Sequence, residues 1–576
     1  MSSNNQTWDF IIVGSGPSGS TLASKLALSA SQPRILLLEA GHRKDDKTLR
    51  VSGNRWTTFQ QADMNWGYKT TPQEHCNGRE IDYSRGKVLG GGTAINFGIY
   101  TVGAKDDYDA WAEIVGDDLF NWENMKGRFR DIESFDTEIG NEAYRAFAAP
   151  DPERHGKSGA LKLSYAEEWE EDLPLVMEAF KEAGVKWNLD HNSGDPIGVG
   201  MAINSVYKGV RSTAGDVIDD ALAQGKGNLE VRTGKTVKRV VFEGDRAVGV
   251  EVGDEIFYAS KEVILSAGSL DTPRILMHSG IGPAAHLQEF NIPVFRDIPC
   301  IGQGLRDHPF VPMCFLRNPN TNNRNAFYGS QSAMDEAMKQ WLVDGSGPWA
   351  QRGAQLIMGW LKSETVSASA EFAALPKNVQ DFLNKPTVPH YEISAGFPLH
   401  MLAPGLTTDY SYVCLLAFLM NEQSLGEVRL QSSDPEVPLL FNANFLAHPF
   451  DRRVCVESVR ELLALTKHDA FAKDTVSMIL GPASESDEDI LEHWRNTIAS
   501  SWHMTGTVKM GKEGDKDAAV DKSFRFMGLQ GLRVADMSVV PVLANNHTQA
   551  TAYVTGATAA DVLIREYELE NVASRL

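Results

Sequence analysis

Hydrophobic positions near the start of the chain follow two patterns, a continuous apolar run and a one-sided helical stripe. Residues 9–13 form the first run, which is typical of a strand buried on both faces of a parallel sheet. Residues 20–28 carry apolar side chains on one side only, which predicts a helix, and residues 34–38 form a second buried strand. The order strand, helix, strand predicts an α/β fold here.

The turn between the first strand and the helix is rich in glycine. Gly14 allows a tight turn, Gly16 lets the backbone approach a pyrophosphate, and Gly19 lets the helix and strand pack closely. The start of the helix offers unpaired N–H groups to phosphates. Glu39 ends the second strand, where its carboxylate can accept hydrogen bonds from a ribose diol. Together these features predict a bound dinucleotide rather than a chance glycine turn.

Further strands are predicted in the middle of the chain. Residues 229–231, 237–242 and 247–252 alternate in the manner of antiparallel strands. Residues 261–268 return to the pattern of a buried strand, and a helix is predicted to begin near residues 272–273, with Pro273 at an allowed early position.

The C-terminal part repeats the strand and helix patterns. Residues 531–536 predict a strand that delivers Asp536 to a turn. Residues 551–565 predict a helix with one apolar face, which would begin just after the polar residues 546–548. Polar side chains at a helix N-terminus favour caps and anions.

Two long stretches, residues 101–204 and 311–504, are richer in Trp, Pro and mixed charge and lack the strand–glycine–helix pattern. We interpret them as a substrate-binding domain assembled from two insertions. The dinucleotide-binding domain would then consist of residues 1–100, 205–310 and 505–576. This interleaved layout predicts a cleft over the dinucleotide.

The composition excludes some classes of partner. The chain has 576 residues, a formal net charge of −21 and no basic stripe, so we expect no nucleic-acid partner. No apolar run is long enough to span a bilayer, so we expect no membrane partner. The five cysteines form no ligand-like spacing, which argues against a metal site and favours a reducing compartment.

The two ends of the chain bear on its location. Residues 1–8 are polar and leave no room for a signal peptide before the first strand, so we expect an intracellular, cytoplasmic protein. The chain ends in Ser574-Arg575-Leu576, which differs by one basic residue from the Ser-Lys-Leu peroxisomal address. The peroxisome is therefore the alternative.

Several further blocks point to a family. The loop at residues 85–96 contains three successive glycines and must lie against something flat or anionic. Together with the opening turn, this loop resembles the first signature of the glucose–methanol–choline (GMC) flavoprotein oxidoreductases. Other blocks that resemble the family, in the family's order, are residues 268–282, 302–309, 501–507, 533–541 and 546–550.

The resemblance implies a fold and a cofactor. It implies a Rossmann-like FAD-binding domain with an interleaved α+β substrate domain, and FAD rather than NAD as the dinucleotide. By matched position, the ADP half of FAD would be held by Gly14, Gly16, Gly19 and Glu39, with Val237 at the adenine. The other implied contacts are Gly91, Gly92 and Asn96 along the isoalloxazine and pyrophosphate, Asp536 at the ribityl or phosphate region, and His547 and Thr548 at the flavin.

Two departures from the family pattern refine these expectations. Members that attach FAD covalently through this loop place a histidine before the asparagine, and Ile95 stands there in this chain, so we expect non-covalent FAD. Relatives that oxidise sugars carry an Arg and an Asn shortly before the first catalytic histidine, where this chain has Ala499 and Ser501. A small aromatic or aliphatic alcohol is therefore favoured over a sugar.

The resemblance assigns the catalytic pair to His503 and His547. Histidine suits the task because its ordinary pKa lies near working pH, so a neutral imidazole can accept a hydroxyl proton. Our hypothesis is that His503 takes the proton while His547 hydrogen-bonds the same oxygen. The electron acceptor, O2 or another molecule, and the oligomeric state, monomer or homodimer, stay open. A lyase that cleaves cyanohydrins without turning over its FAD is the alternative reading.

Aromatic residues near these blocks are candidates for the wall of the substrate cavity. Trp502, Phe397 and Tyr100 are predicted to bind substrate, and Phe97 is a further candidate for the cavity wall. His308 is interpreted as a turn residue rather than a catalyst. Residues 105–109 are interpreted as a solvated helix start, because their mixed charge has no metal-ligand spacing.

Overall fold

The computed structural model describes residues 7–139, 142–166, 171–351, 356–397, 399–403 and 405–569. The C-terminal tripeptide 574–576 and residues 1–6 lie outside these ranges, so the expectations on location stay predictions. Within the described residues, no helix is both long and apolar enough to cross a membrane.

The first sheet carries the predicted dinucleotide turn. Its strands, in spatial order, are Leu229–Arg232, Ile35–Leu38, Thr7–Val13, Glu255–Leu265, Arg246–Val252 and Val237–Glu243, with Leu532–Val534 also pairing with Glu255–Leu265. Neighbours pair in parallel from the first strand to Glu255–Leu265, and the last two pairings are antiparallel. Thr7–Val13 lies at the centre of the parallel part, which explains its nearly continuous apolar sequence.

The second sheet is antiparallel. Its strands are Ile357–Leu361, Tyr391–Ala395, Ser411–Leu419, Pro309–Arg317 and Thr475–Leu480, with Ala499–Ser500 pairing beside the start of Pro309–Arg317. These strands come from the segments predicted to form the substrate domain, although Pro309–Arg317 begins two residues before the predicted boundary at residue 311. The division into domains remains a prediction.

Helices pack on both sheets, and further short strands lie between them in the chain. The helices of ten residues or more are Pro17–Ala27, Lys105–Val115, Trp122–Ile132, Leu173–Glu182, Ala214–Gln224, Gly268–His278, Gln331–Asp344, Pro449–Leu465, Asp487–Thr497 and Gln549–Glu566. The shorter ones include Arg55–Phe59, Ala284–Glu289, Arg324–Tyr328, Lys377–Leu383 and Asp469–Ala472. Short strands include Glu133–Asp136, Leu161–Ser164, Gly198–Met201, Val210–Arg211, Gln303–Leu305, Gly426–Arg429 and Leu440–Asn442.

Two predictions about local structure were wrong. Leu229–Arg232 pairs in parallel with Ile35–Leu38 rather than joining the antiparallel strands. The helix predicted near residues 272–273 begins at Gly268, so Pro273 lies inside it. Proline leaves the carbonyl four residues earlier without its helical partner. Here that carbonyl belongs to Ser269, and the Thr507 hydroxyl donates to it at 2.6 Å, which makes the interior proline tolerable.

The C-terminal helix Gln549–Glu566 packs tightly on the first helix. A Cβ added at Gly556 would lie 2.1 Å from the Ser18 carbonyl oxygen, so only glycine allows this approach. Helix Trp122–Ile132 also contacts the C-terminal helix, since Arg128 Nε lies 2.7 Å from Asp561 Oδ2. The helix that follows the polar residues 546–548 is therefore held by the first helix and by helix Trp122–Ile132.

Candidate active site

A long cavity begins where the strands Thr7–Val13 and Ile35–Leu38 end and reaches His503 and His547 at its far end. The carboxyl ends of parallel strands are where open α/β sheets bind ligands. Lining residues come from segments between Val13 and Ala552, so nearly the whole chain contributes to the site.

The glycine turn has the geometry that a dinucleotide needs. Gly14 has a φ of 101°, and a Cβ there would lie 2.4 Å from the Ser266 carbonyl oxygen. A Cβ at Gly19 would lie 2.0 Å from the Gly14 carbonyl oxygen, so Gly19 is required for close packing and does not line the cavity. Gly16 differs from both, because nothing lies within 4 Å of its Cβ position; like Gly14, it lines the cavity.

The start of helix Pro17–Ala27 is open to a ligand. Its N-cap is Gly16, and no side chain caps it, so its first N–H groups are available to an anion. Gly91 approaches from the other side, where a Cβ would come within 2.8 Å of the Gly16 Cα. Gly92 also lines the cavity beside Arg85. This cradle of bare backbone fits the pyrophosphate of FAD.

Glu39 lies on the cavity wall, as predicted for a ribose-binding acid, but its oxygens already have partners. The Ser15 N–H and hydroxyl donate to Oε2 at 3.0 and 2.7 Å, and the Gly41 N–H donates to Oε1 at 2.8 Å. Burial raises the pKa of this carboxyl, while these hydrogen bonds oppose the rise. A carboxylate oxygen can accept more than one hydrogen bond, so the contact between Glu39 and a ribose stays a prediction.

Val237, Asn96, Asp536 and Thr548 also line the cavity. Asp536 ties two elements together, because its Oδ2 accepts from the Gly268 N–H and the Thr272 hydroxyl at 2.8 and 2.6 Å. Thr548 is the N-cap of the C-terminal helix and makes no side-chain cap. The predicted cofactor residues other than Gly19 thus line one cavity, while their individual contacts stay predictions.

His503 is buried at the end of the cavity. Its backbone N–H donates to Asp307 Oδ1 at 2.7 Å, and its Nδ1 lies 3.1 Å from Nδ1 of His308. Burial lowers the pKa of His503 well below its usual range, and the nearby His547, His308 and Arg85 lower it further. The ring is therefore neutral near pH 7 and able to accept a proton.

His547 faces His503, with ring centroids 4.8 Å apart and planes at 79°. Its Nε2 lies 2.8 Å from Oε1 of Glu392, whose side chain is completely buried on strand Tyr391–Ala395. Burial raises the pKa of this carboxyl, and the contact with His547 opposes the rise. One histidine therefore has a neutral partner and the other has an acidic one.

The loop that carries His547 is fixed by Asp107. Asp107 was expected on a solvated helix start, and the helix does begin at Lys105, but Asp107 is buried. It accepts from the backbone N–H and the side-chain amide of Asn545 at 2.7 and 2.6 Å. Burial raises its pKa to about 7. This contact holds the chain two residues before His547.

Aromatic side chains form the wall beside the two histidines. Trp56 contacts Phe97 and Phe397 at centroid distances of 4.4 and 4.6 Å, and Phe59 contacts Trp502 at 4.7 Å. We call this cluster the aromatic wall; its members are Trp56, Phe59, Phe97, Phe310, Phe397, Phe418 and Trp502, all of which line the cavity.

Trp502 has an unusual backbone for a large residue, with φ at 58°. It is anchored at three points: its N–H donates to Ser500 Oγ, its indole N–H donates to Asp82, and its carbonyl accepts from Arg85. These bonds hold a conformation that costs energy in most residues, next to His503.

Two assignments near the site need correction. Tyr100 does not line the cavity; it is buried in the main core and its carbonyl accepts from the Asn192 side chain. The Tyr100 ring points into the core because successive side chains of an extended segment face opposite ways. Phe97 and Ile99 line the cavity instead. His308 is not a turn residue; it is fully buried just before strand Pro309–Arg317, against His503.

Sequence reasoning missed four members of the aromatic wall, namely Trp56, Phe59, Phe310 and Phe418. It also missed Glu392 as the partner of His547. None of these lies in a glycine-rich block, and each reaches the site only through the pairing of the second sheet or the packing of helix Arg55–Phe59. A carboxylate inside the apolar strand Tyr391–Ala395 was the one usable signal.

The chain matches the GMC oxidoreductase family over residues 8–310 and, in the C-terminal part, over residues 422–556. The oxygen-dependent choline dehydrogenase of Rhizobium etli is 30% identical over 574 residues, which cover 97% of this chain and 96% of that protein. A formate oxidase structure has a TM-score of 0.88 at 25% identity and covers 98% of this chain and 100% of that one. A fungal aryl-alcohol oxidase has a TM-score of 0.84 at 26% identity, with 98% and 99% covered.

The protein therefore belongs to the GMC oxidoreductases. It is an FAD-dependent oxidoreductase of the kind that acts on alcohols. The resemblance inferred from the sequence and the expected fold are confirmed.

Proposed function

We propose that this enzyme oxidises a primary or secondary alcohol of low polarity to the carbonyl, with a small aromatic or aliphatic alcohol favoured over a sugar. The aromatic wall beside His503 and His547 carries this proposal. Aromatic surface binds apolar groups and offers few hydrogen bonds to hydroxyls. A fungal aryl-alcohol oxidase is among the similar structures.

The two histidines divide the chemistry of the hydroxyl group. His503 is the base, because burial keeps its imidazole neutral and its Nδ1 is occupied by His308, which leaves Nε2 for the substrate. His547 hydrogen-bonds the same oxygen and stabilises the negative charge that develops there, with Glu392 orienting its ring. Bound FAD supplies the hydride acceptor, N5 of its flavin. Acid–base catalysis of this kind contributes about 10²–10⁴-fold.

We also propose that FAD is bound non-covalently. Ile95 lines the cavity where covalent relatives carry histidine, and its side chain has no nucleophilic atom. Denaturing the holoenzyme and separating protein from small molecules tests this point. The yellow colour should stay in solution, and colour that precipitates with the protein would show a covalent link.

Anaerobic mixing with a panel of alcohols tests the activity. Benzylic and short aliphatic alcohols should bleach the flavin faster than glucose does, and His503→Ala and His547→Ala should slow bleaching strongly while keeping FAD. Repeating the mixing with O2 shows whether O2 or another molecule is the acceptor. If no alcohol bleaches the flavin but a cyanohydrin is cleaved, the enzyme is a lyase.

A further inference from the structure

We propose that His308 is a positioning residue that decides which ring nitrogen of His503 carries the proton. This inference rests on the proposed role of His503 as the base. The two Nδ1 atoms lie 3.1 Å apart, with ring planes at 88°. His308 is completely buried and His503 is 6% exposed, so bulk water does not compete for the hydrogen bond between the two rings.

The short contact between two like atoms constrains the protons. Two ring nitrogens at hydrogen-bond distance need one donor and one acceptor, and a neutral imidazole carries a single N–H. If His503 holds its proton on Nδ1 and donates it to His308, its Nε2 lone pair is free to accept the hydroxyl proton. If His308 donates instead, the proton of His503 sits on Nε2 and the base is blocked.

The active arrangement places the proton of His308 on its Nε2. That nitrogen is buried and has no hydrogen-bond partner among the described residues. A buried N–H without an acceptor is costly and rare in native proteins, and such groups often mark functional sites. This tautomer of His308 therefore carries a cost in stability, and the contact with Nδ1 of His503 is the one hydrogen bond that its ring makes among the described residues.

The surroundings explain why a histidine serves better than an acid at this position. Asp307 and Arg85 lie close to His503, but Asp307 binds its backbone and the Ser500 hydroxyl, and Arg85 binds the Trp502 carbonyl. Among the described residues, no carboxylate is hydrogen-bonded to the His503 ring. His308 orients that ring without placing a carboxyl group beside it, whereas Glu392 places one beside His547. His503 thus stays neutral and ready to act.

The proton balance of the step is simple. The hydroxyl proton moves to Nε2 of His503, the Nδ1 proton stays in place, and the hydrogen bond to His308 becomes charge-assisted. No proton has to leave through His308, which agrees with its complete burial.

Substitution at residue 308 tests the proposal on the FAD-loaded enzyme. His308→Leu should slow flavin reduction at saturating alcohol by about 10- to 100-fold, the range for losing a hydrogen bond to a charged group. The alcohol dissociation constant should change little. His308→Asn, whose amide oxygen can accept from Nδ1–H, should recover part of the rate. His493→Gln, which removes another buried histidine that donates to the Pro312 carbonyl, is the control.

Nitrogen-15 spectra of histidine-labelled holoenzyme report the tautomer directly. The signal lost in His503→Ala identifies His503, and we expect Nδ1 protonated and Nε2 bare in the oxidised enzyme. A protonated Nε2, or an unchanged reduction rate in His308→Leu with full FAD, overturns the inference. If His503→Ala itself keeps its reduction rate, the proposed function fails, while the spectra still decide the role of His308.

Discussion

His503 and His547 sit side by side, yet their hydrogen-bond partners differ in charge. His503 meets a neutral imidazole, whereas His547 meets the buried Glu392. This difference matches the proposed division of the chemistry, in which His503 takes the hydroxyl proton and His547 hydrogen-bonds the substrate oxygen.

Replacing the acid partner should separate these roles. We expect Glu392→Gln to slow flavin reduction by about 10- to 100-fold, because an amide replaces the buried carboxyl group that holds Nε2 of His547. Stopped-flow absorbance under anaerobic conditions measures the rate. Glu364→Gln, on an exposed helix start, is the control. An unchanged rate in a fully FAD-loaded Glu392→Gln enzyme would show that His547 does not depend on this acid.

The cofactor cradle is formed by the backbone of Gly16, Gly91 and Gly92 and needs glycine at the close approach. Gly91→Ala should weaken FAD binding by about tenfold or more, because its Cβ would meet Gly16 and its φ is 55°. Gly78→Ala is a matched control, since its φ is 68° and nothing lies within 4 Å of its Cβ position. Both variants place an alanine at a positive φ, but only the alanine of Gly91→Ala has a Cβ that meets Gly16. Titration of apoprotein with FAD by flavin fluorescence compares them, and equal affinities would contradict the cradle.

His155 joins three segments through two acids. Its ring nitrogens lie 3.2 Å from Glu133 and from Asp190, and although burial lowers its pKa, these acids raise it to about 9. A raised pKa stabilises the fold fully below the ordinary value of 6.5, and this stabilisation is lost as pH rises through about 9. The expected contribution is about 3 kcal/mol, from the usual 1.36 kcal/mol per pKa unit.

Chemical denaturation at several pH values checks this contribution. The free energy of unfolding should fall between pH 6.5 and 9 in the native protein, and this part of the fall should vanish in His155→Gln. His75→Gln, at a partly exposed position, should leave the pH dependence intact. The same slope in His155→Gln and the native protein would rule out a charged His155.

Elements with a local signal were predictable, and those set by distant contacts were not. Residues 9–39 gave strand, turn, helix and strand in order because the signal lies within one short segment. Leu229–Arg232 looked antiparallel because alternation alone does not report the direction of a neighbour. Pro273 seemed to need an early helix position because its compensation, the Thr507 hydroxyl, lies far along the chain.

The whole molecule is organised around the cavity, and the cofactor should hold it together. Lining residues come from both ends of the chain, so FAD binds the folded state and not the unfolded one. We expect removal of FAD to lower the melting temperature, and saturating FAD to restore it in a concentration-dependent way. A ligand at about 1,000 times its Kd adds about 4 kcal/mol. ADP, which fills only part of the site, should restore less, and an unchanged melting temperature in apoprotein would contradict the picture.

At this scale the sequence predicted the cofactor end better than the substrate end. The glycines act through the backbone and Glu39 through its carboxylate, and their spacing is visible in the chain. The aromatic wall is assembled by strand pairing and helix packing from segments hundreds of residues apart, and its members look like ordinary core. Tyr100 was placed on the wrong side for a local reason, because successive side chains of its segment face opposite ways.

The interlocked aromatic wall has a consequence for anyone who wishes to redesign which alcohols this enzyme accepts. Trp56 touches both Phe97 and Phe397, so trimming one of the touching rings leaves its neighbour unsupported, and enlarging one displaces it. Single-position saturation libraries will therefore sample mostly collapsed or overfilled pockets. Libraries that vary touching positions together have the better prospect of producing a new, well-packed specificity.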